Sequence, residues 1–512
     1  MTLVRIFFVA ATLVVLAFLW QQNGNNGVNP VQPIAIRYID SVAVLPLENR
    51  TGDTNFDHIG VGIAEEITTL LARMAPLKVI SHHSAQAVNQ EELTTTELGT
   101  ILNVRHIIRG HIAMDDDQLS VDIQHYNAEQ NSRVWTEVID VATGDFSAQQ
   151  DTIARLATSK FVETIPGLTL PRFGGQDSAG PGQAAYLEGR RWMGERTAAG
   201  LQKAIAEFQR AIELSPGYAP AYADLSSAYA LSVYYRYDVG IDDYTLAAQS
   251  LAFAEHAIAL NTNLAAGYAA RGYVSALVGG SGSDVESDFE RAATLQPNTA
   301  SIPSWRARSL ALLGQFEEAF AEASRAVDLD PLAPARHIAL AELSLQLGRY
   351  EQAIASAKLA TALEPRIIRS RAIEARALLL HGNPQRCASM ALGPHRVLRA
   401  TCMKVSGQTE QADAIIKNVL TEIRTKTLNA NGSTDVVVFE DLAIYYALRG
   451  EAENALFWSA RAYAASPAGL EIRVLESALF DKVRSDPKFS SQIKAIRDDL
   501  HSRVRRDSLE YR

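Results

Sequence analysis

Several groups of residues have the types that metal, nucleotide or catalytic chemistry requires, and their spacing decides what each can do. Residues 60–65 (GVGIAE) carry the first two glycines of a dinucleotide-binding fingerprint, but Glu65 stands where the third glycine belongs. His106 and His111 lie five apart on a predicted strand, which points them to opposite faces. The pair His82-His83 has no second pair at metal-ligand spacing. We therefore predict no catalytic, cofactor-binding or metal-binding residues.

Two further segments fit turns better than ligand sites. The run 115–117 (DDD) separates two predicted strands, as in an exposed hairpin turn, and a calcium loop is the alternative. Residues 279–283 (GGSGS) lack the lysine of a phosphate-binding loop and are predicted to join two helices. The sequence has no Gly-x-Ser-x-Gly or His-Glu-x-x-His motif, so we predict a protein that is not an enzyme and needs no cofactor.

The candidate partner-binding residues are aromatic and basic. Seven of the 17 tyrosines lie between Tyr218 and Tyr244. Tyr222 and Tyr229 share a helix face, which predicts packing, but the remaining cluster exceeds what packing needs. Tyr and Arg are favoured at interface hot spots. The first candidate group is Tyr234, Tyr235, Arg236 and Tyr237, and the second is Trp305, Arg306 and Arg308, for which a solvated helix face is the alternative.

The composition is that of a folded chain without a nucleic-acid-binding face. The 512 residues are 47% hydrophobic and 21% charged, with a formal net charge of -10 and a pI near 5.6. Nucleic-acid binders usually carry a basic face, so no nucleic-acid partner is predicted. Cys387 and Cys402 are too few for a disulfide framework. We interpret Cys387 as a small buried residue, with a disulfide to Cys402 as the alternative.

The N-terminal segment 1–22 is predicted to be a transmembrane signal anchor. Its charge-free run from Ile6 to Trp20 is 15 residues, about 22 Å of helix, and counting from Leu3 gives about 27 Å, near the roughly 30 Å of a hydrocarbon core. A cleaved signal peptide is the alternative, although no A-x-A-like site follows the run. With Arg5 in the cytoplasm, the bulk of the chain would face the periplasm of a bacterium, on a single-pass inner-membrane protein.

Five further regions follow this segment. We predict a flexible tether, a small α+β domain, a linker, helical repeats and capping helices, at 23–37, 38–165, 166–182, 183–470 and 471–512. Within the α+β domain, strands are predicted at 41–47, 77–81, 104–114, 119–126 and 133–141, and helices at 59–74, 95–102 and 146–164.

The α+β domain resembles a known bacterial domain. Its segments SVAVLPLENRTGD, GIAEEITTLLAR, VRHIIRGHI and VWTEVID are similar to the TolB-amino-terminal-like (FlgO-related) domain over about 120 residues. In bacteria that domain often precedes tetratricopeptide repeats in membrane-bound transcriptional regulators and adenylate cyclases. The resemblance brings no catalytic residues that could be carried over to this sequence.

The strongest pattern in the sequence is a spacing of 34 residues. It separates successive glycines and successive prolines, namely Gly280, Gly314, Gly348 and Gly382, and Pro297, Pro331 and Pro365. The glycine predicts the end of a first helix and the proline the end of a second. Small residues at Ala319 and Ala326, repeated at Ala353 and Ala360, let the second helix pack closely. About 12 extra residues around 234–244 interrupt the second repeat, in which Thr262 replaces the closing proline.

The 34-residue units resemble tetratricopeptide repeats over about 285 residues. The resemblance implies a mainly α fold, a right-handed α-solenoid of about eight helix pairs whose concave groove binds a protein or peptide. We therefore expect a membrane-anchored, periplasm-facing scaffold or sensor module. The alternative is a regulator of the transmembrane winged-helix or cyclase type that lacks its effector domain.

Overall fold

The computed structural model describes residues 38–495 apart from 89–91, 116–117, 142–145, 170–179, 196, 236, 238, 281, 426–432 and 466–477. The predicted signal anchor, the tether and part of the predicted cap lie outside the described residues. No helix in the described ranges combines the length and the apolar composition needed to cross a membrane.

The chain divides into two compact units. The first comprises residues 1–175 together with two segments of the repeat region, 293–304 and 321–336. The second comprises residues 176–292, 305–320 and 337–512.

The N-terminal part of the first unit contains six strands and four helices in the residues that the structure describes. The strands are β1 (Asp40–Val44), β2 (Glu48–Asn49), β3 (Leu77–Val79), β4 (His106–Asp115), β5 (Gln118–Asn127) and β6 (Ser132–Val141). The helices are α1 (Asp57–Ala72), α2 (His82–Ala87), α3 (Thr95–Leu102) and α4 (Phe146–Thr164). The small α+β fold is thus present, and α2 and β2 are elements that the sequence pattern did not predict.

The strands form one mixed sheet in the order β3-β1-β4-β5-β6, with β2 beside β4. β1 is parallel to β3 and β4, whereas β4, β5 and β6 form an antiparallel meander. One face packs on α1 and α4 through side chains such as Ile63, Ile108 and Phe161. The other face packs on α2 and α3 through Leu45 and Leu98. The glycines at 60–65 therefore belong to a buried helix, and Gly60 lies so close to the Leu47 carbonyl that a side chain would not fit.

Polar contacts inside the first unit join the end of α1 and the start of α2 to two repeat turns, at Asn298 and Asp330. The hydroxyls of Ser81 and Ser84 donate to Asp330, with Ser84 Oγ 2.6 Å from Asp330 Oδ1. Asn298 Nδ2 donates to the Met74 carbonyl at 2.8 Å. Burial would raise the pKa of Asp330, but hydrogen bonds and nearby cations hold it far below its usual range. Asp330 therefore stays ionised.

The repeat region consists of eight consecutive helix pairs in the described residues. In chain order they are α5 (Gln183–Gly194) and α6 (Ala198–Leu214), α7 (Ala219–Tyr235) and α8 (Asp243–Leu260), α9 (Ala265–Leu277) and α10 (Gly282–Leu295), α11 (Ser301–Leu312) and α12 (Phe316–Leu329), α13 (Pro334–Gln346) and α14 (Tyr350–Leu363), α15 (Ile368–Leu380) and α16 (Pro384–Ala388), α17 (Arg396–Val405) and α18 (Thr409–Thr425), and α19 (Ser433–Leu448) and α20 (Ala452–Ala465). The chain is therefore mainly helical. A short helix, α21 (Asp481–Arg484), and a helical stretch at 487–495 follow.

The glycines and alanines of the 34-residue pattern have the roles that the sequence predicts. Gly314, Gly348 and Gly382 end first helices with φ of +80°, +71° and +82°, a conformation that residues with a side chain rarely adopt. In the third pair, Gly279 takes this conformation at +74° in place of the predicted Gly280. The paired alanines of the second helices are buried, including Ala204, Ala211, Ala319, Ala326, Ala353, Ala360, Ala455 and Ala462.

The two cysteines are bonded to each other, which corrects our preferred interpretation. Cys387 lies at the end of α16 and Cys402 lies in α17, and their Cα atoms are 5.7 Å apart. Both are fully buried, so Cys387 does occupy a small buried position. The bond was only our alternative because the sequence pattern did not show that α16 is five residues long, which brings the next first helix close.

We expect the disulfide to stabilise the repeats by constraining the unfolded chain. It closes a loop with a sequence separation of 15, for which loss of the cross-link costs about 3 kcal/mol. A Cys387→Ala, Cys402→Ala variant should therefore unfold at lower urea concentration than the oxidised wild type. As a control, dithiothreitol should lower the wild-type midpoint and leave the variant unchanged. Equal midpoints for all four samples would contradict a stabilising bond.

Candidate functional site

The three described tyrosines of the first candidate group lie together at the end of α7. The rings of Tyr234 and Tyr235 meet edge to face with centroids 5.1 Å apart, and Tyr235 stacks on Tyr237 at 5.4 Å. The Tyr237 amide donates to the Ser232 carbonyl at 3.0 Å, which closes the helix end. Arg236 lies outside the described residues. The 12-residue interruption of the second repeat thus begins with three phenol rings on one surface.

Arg308 of α11 joins this group from 73 residues away. Its Nη2 donates to the Tyr235 hydroxyl at 2.9 Å. Its guanidinium carbon lies 4.7 Å from the ring centroid of Tyr234 and 5.4 Å from that of Tyr235, within cation–π range. The side chain is buried. The two candidate groups, which are far apart in the sequence, therefore form one cluster in the second unit.

Trp305 is the buried aromatic residue on which the cluster packs. It lies one helical turn before Arg308 and is almost fully buried. Its ring centroid is 4.6 Å from that of Tyr273 on α9, and Tyr273 lies 6.3 Å from Tyr234. Three helix pairs thus contribute aromatic rings to one site. Their packing fixes the positions of the more accessible tyrosines.

Two charged residues that the sequence analysis missed complete the cluster. Arg369 of α15 lies with its guanidinium carbon 5.5 Å from the Tyr235 ring centroid. Its Nε donates to Glu342 of α13. Glu342 stands 34 residues after Arg308. The repeat spacing therefore places it at the equivalent position of the next first helix, and this could have identified it as a neighbour of Arg308. No pattern in the sequence indicates that Arg369 joins the cluster.

Arg308 holds its charge inside the cluster. Burial alone would lower its pKa, but the hydroxyls of Tyr235, Tyr234 and Tyr273 and the carboxylate of Glu342 raise the pKa above its usual value. The Nη1 atom of Arg308 is buried and makes no hydrogen bond to the described residues. A guanidinium has five N–H donors, so at least one of them stays unsatisfied inside the cluster.

Arg306 belongs to a different surface. It lies two residues from Arg308 on α11, and helix positions two apart do not face each other. Its guanidinium pairs with Glu286 on α10. We therefore remove Arg306 from the candidate cluster, which we define as Tyr234, Tyr235, Tyr237, Tyr273, Trp305, Arg308, Glu342 and Arg369.

The other polar groupings singled out by sequence remain structural in the described residues. His106 is buried in the sheet while His111 lies on the other face. Asp115 pairs with Gln118 at the β4–β5 turn, and Asp116 and Asp117 lie outside the described residues. Across the described ranges, no group of three or more His, Cys, Asp or Glu residues could hold a metal ion.

One family model matches part of the chain. It is the tetratricopeptide repeat, and it matches residues 336–367. This segment contains α13 and α14 with Gly348 between them and ends just after Pro365. The chain therefore contains a tetratricopeptide repeat at this place, and Glu342 of the cluster lies on its first helix.

A curated relative and two solved structures are each similar to part of the chain. A Rhizobium meliloti (strain 1021) protein named "Putative adenylate cyclase 3" is 26% identical over 189 residues, which are 36% of this chain and 32% of the relative. The chain thus spans about a third of that relative. A tetratricopeptide repeat protein of Thermus thermophilus is 22% identical with a TM-score of 0.32, covering 39% of this chain and 99% of its own. One from Parabacteroides merdae is 13% identical with a TM-score of 0.31, covering 59% and 99%.

The hydrogen bond between Arg308 and Tyr235 provides a direct test of the cluster. In Tyr235→Phe the buried guanidinium loses an acceptor, and hydrogen bonds to charged groups contribute about 1.5–3 kcal/mol. We expect the free energy of unfolding to fall by this amount in urea titration. Tyr244→Phe is the matched control, because this tyrosine is 42% exposed and should change stability by less than about 0.5 kcal/mol. Equal effects of the two substitutions would argue against the bond.

Proposed function

We propose that this protein is a membrane-anchored, periplasm-facing scaffold or sensor that binds a protein or peptide through the groove of its repeats. The tetratricopeptide repeat at 336–367 supports the protein-binding class. The observation that carries the proposal is the Tyr–Arg cluster, in which aromatic rings from three helix pairs surround a buried arginine and leave three tyrosines partly exposed.

The chemistry of the cluster defines what it would bind. Tyrosine presents a large rigid ring with little conformational entropy to lose, and tyrosine and arginine dominate interface hot spots. Tyr234, Tyr235, Tyr237 and Arg369 are partly exposed. We infer that an extended partner segment packs an apolar or aromatic side chain on these rings.

The sheet of the first unit is a second contact surface in this proposal. The outer face of β4–β6 is polar and partly exposed, with Val134 and Val138 at the edge exposed by 45% and 59%. Such a face supports a transient contact better than a permanent one, since permanent interfaces are more apolar.

The periplasmic location rests on the N-terminal sequence and is supported by the cysteines. Disulfides persist in oxidising compartments such as the bacterial periplasm and are rare in the cytosol. The Cys387–Cys402 bond lies within the repeats that we place there. A single pass near the N-terminus would put the bond on the oxidising side, and cleavage of the segment would do the same.

A second candidate function is that of the sensing part of a signalling protein. The observation that favours it is the 26% identity to a relative named as an adenylate cyclase, together with the resemblance to the domain that precedes repeats in such proteins. In this variant of the proposal the cluster binds the signal, and an effector domain acts elsewhere. We assign no catalytic, cofactor or metal residue to this chain.

Partner capture from envelope extracts tests the binding role. We expect a Tyr237→Ala, Arg369→Ala variant to lose at least tenfold in crosslinked partner, because truncating a hot-spot residue costs about 2 kcal/mol or more. Tyr244→Ala removes an exposed tyrosine of the same region and should leave capture unchanged. Mass spectrometry of the crosslinked bands gives the yields. If the double variant captures the wild-type set in full, the cluster is not the binding surface.

Topology is tested separately with a reporter. An alkaline phosphatase fused after Arg512 is active only in the periplasm, where its own disulfides form. We expect activity in the full-chain fusion and its loss when residues 1–22 are deleted. An inactive full-chain fusion that is expressed at normal level would overturn the periplasmic assignment without affecting the binding proposal.

A further inference from the structure

A chain of three hydrogen-bonding groups crosses the buried face of the sheet in the first unit. Asp40 Oδ2 at the start of β1 lies 3.1 Å from His106 Nε2. His106 Nδ1 lies 2.8 Å from His125 Nε2 on the neighbouring strand β5. His106 is 6% exposed and His125 is fully buried. Two imidazoles in direct contact inside a core destabilise the fold unless one ring donates the hydrogen bond between them and the other accepts it.

The distances determine the tautomers of both rings. The Asp40 carboxylate accepts from the backbone amide of Ser41 at 2.9 Å, and it can only accept from His106, so Nε2 of His106 carries a proton. In the neutral ring, Nδ1 of His106 is then an acceptor and His125 Nε2 is the donor. This leaves Nδ1 of His125 as a buried acceptor, which has no hydrogen-bond partner among the described residues.

The surroundings of the pair are mostly aromatic. The ring centroid of His125 lies 5.0 Å from that of Phe161 on α4 and 5.7 Å from that of Trp135 on β6, and both pairs meet edge to face. The Trp135 Nε1 and Thr158 Oγ1 atoms are also buried without a hydrogen-bond partner in the described residues. Thr158 lies one turn from Phe161 on α4. The second imidazole is thus enclosed by β5, β6 and α4, and these elements must move if it is to reach water.

The charged groups facing the pair favour one positive charge and oppose two. On β1, Asp40 contacts His106, and Arg105 next to β4 lies 3.5 Å from Asp40 and 3.3 Å from Glu129. From α4 and β6, Lys160 and Glu137 pair with each other. One imidazolium beside Asp40 is therefore balanced. A second would be a buried, unpaired cation next to the first.

We propose that Asp40, His106 and His125 form a proton-responsive switch in the sheet domain. In the switched state His106 Nδ1 donates to His125 Nε2, and the proton of His125 lies on its own Nδ1. A positive charge on His125 itself cannot be accommodated in the core, and it loosens the packing of β6 and α4 on β5. This switch is independent of partner binding by the repeats.

The expected direction of the pH dependence follows from burial. Burial, and next to it the charge of His106, lowers the pKa of His125 from 6.5 to about 3 in the folded protein. The unfolded chain therefore binds more protons than the folded chain between about pH 6.5 and about pH 3. Stability from this residue is fully present above about pH 6.5 and is lost as the pH falls through that window.

Histidine-selective 15N NMR and urea denaturation of the full chain in detergent test the switch together. In the wild type we expect His125 to change from the Nε2–H to the Nδ1–H tautomer between pH 8 and pH 4. We also expect the urea concentration at the unfolding midpoint to be lower at pH 4.5 than at pH 7.5. His125→Phe fills the aromatic pocket without a titrating group, and the difference between its midpoints at the two pH values should be at most half of the wild-type difference. His111→Gln, on the opposite face of β4, is the matched control and should behave as the wild type.

Two results would overturn the proposal. One is a His125 ring that keeps the Nε2–H tautomer until the protein unfolds at acid pH. The other is a His125→Phe variant whose midpoint falls as far as that of the wild type. If His125→Phe does not fold, the tautomer measurement on the wild type decides the question alone.

Discussion

The structure of the repeat region depends on one constraint, which is that a single helix pair cannot bury its own apolar face. Each pair must pack against the next, and the alanines that recur on the second helices set how closely the backbones approach. A glycine in the left-handed conformation, such as Gly348, ends six of the eight first helices in the described residues. Residues that are far apart in sequence therefore meet in a predictable register. The contact of Tyr235 with Arg308, 73 residues away, is one result of it.

The Tyr–Arg cluster shows how a regular scaffold acquires a particular site. The second repeat is interrupted between Tyr235 and Asp243, where extra residues separate its two helices. Tyr234, Tyr235 and Tyr237 lie at the start of this interruption, so the packing of the regular repeat does not determine all of their positions. The surrounding repeats then supply the groups that hold them, namely Trp305 and Arg308 from α11 and Arg369 from α15. A buried positive charge is unfavourable in isolation, and here several tyrosine rings together stabilise that of Arg308. This stabilisation explains why the cluster lies within the repeats and not on a loose loop.

Periodicity made most of the fold predictable from the sequence, and the absence of periodicity explains what was missed. The helices at 95–102 and 146–164 were predicted with their observed ends because their apolar residues follow helical spacing, and Thr94 caps the first of them. The tyrosines and Arg308 were found by composition. Arg369 and the Asp40–His106–His125 chain were missed, and the Cys387–Cys402 bond was only an alternative, since each depends on which side chains tertiary packing brings into contact. No local pattern encodes such a contact.

Hydrogen–deuterium exchange of the full chain, with and without its captured partner, tests the central claim most directly. If the repeats present one composite surface, partner binding should slow exchange in three separate segments together: the end of α7 at 229–237, the centre of α11 at 303–310 and the start of α15 at 367–373. These segments belong to different helix pairs and share only the cluster. Protection confined to one of the three, or found only in other helices, would contradict the account.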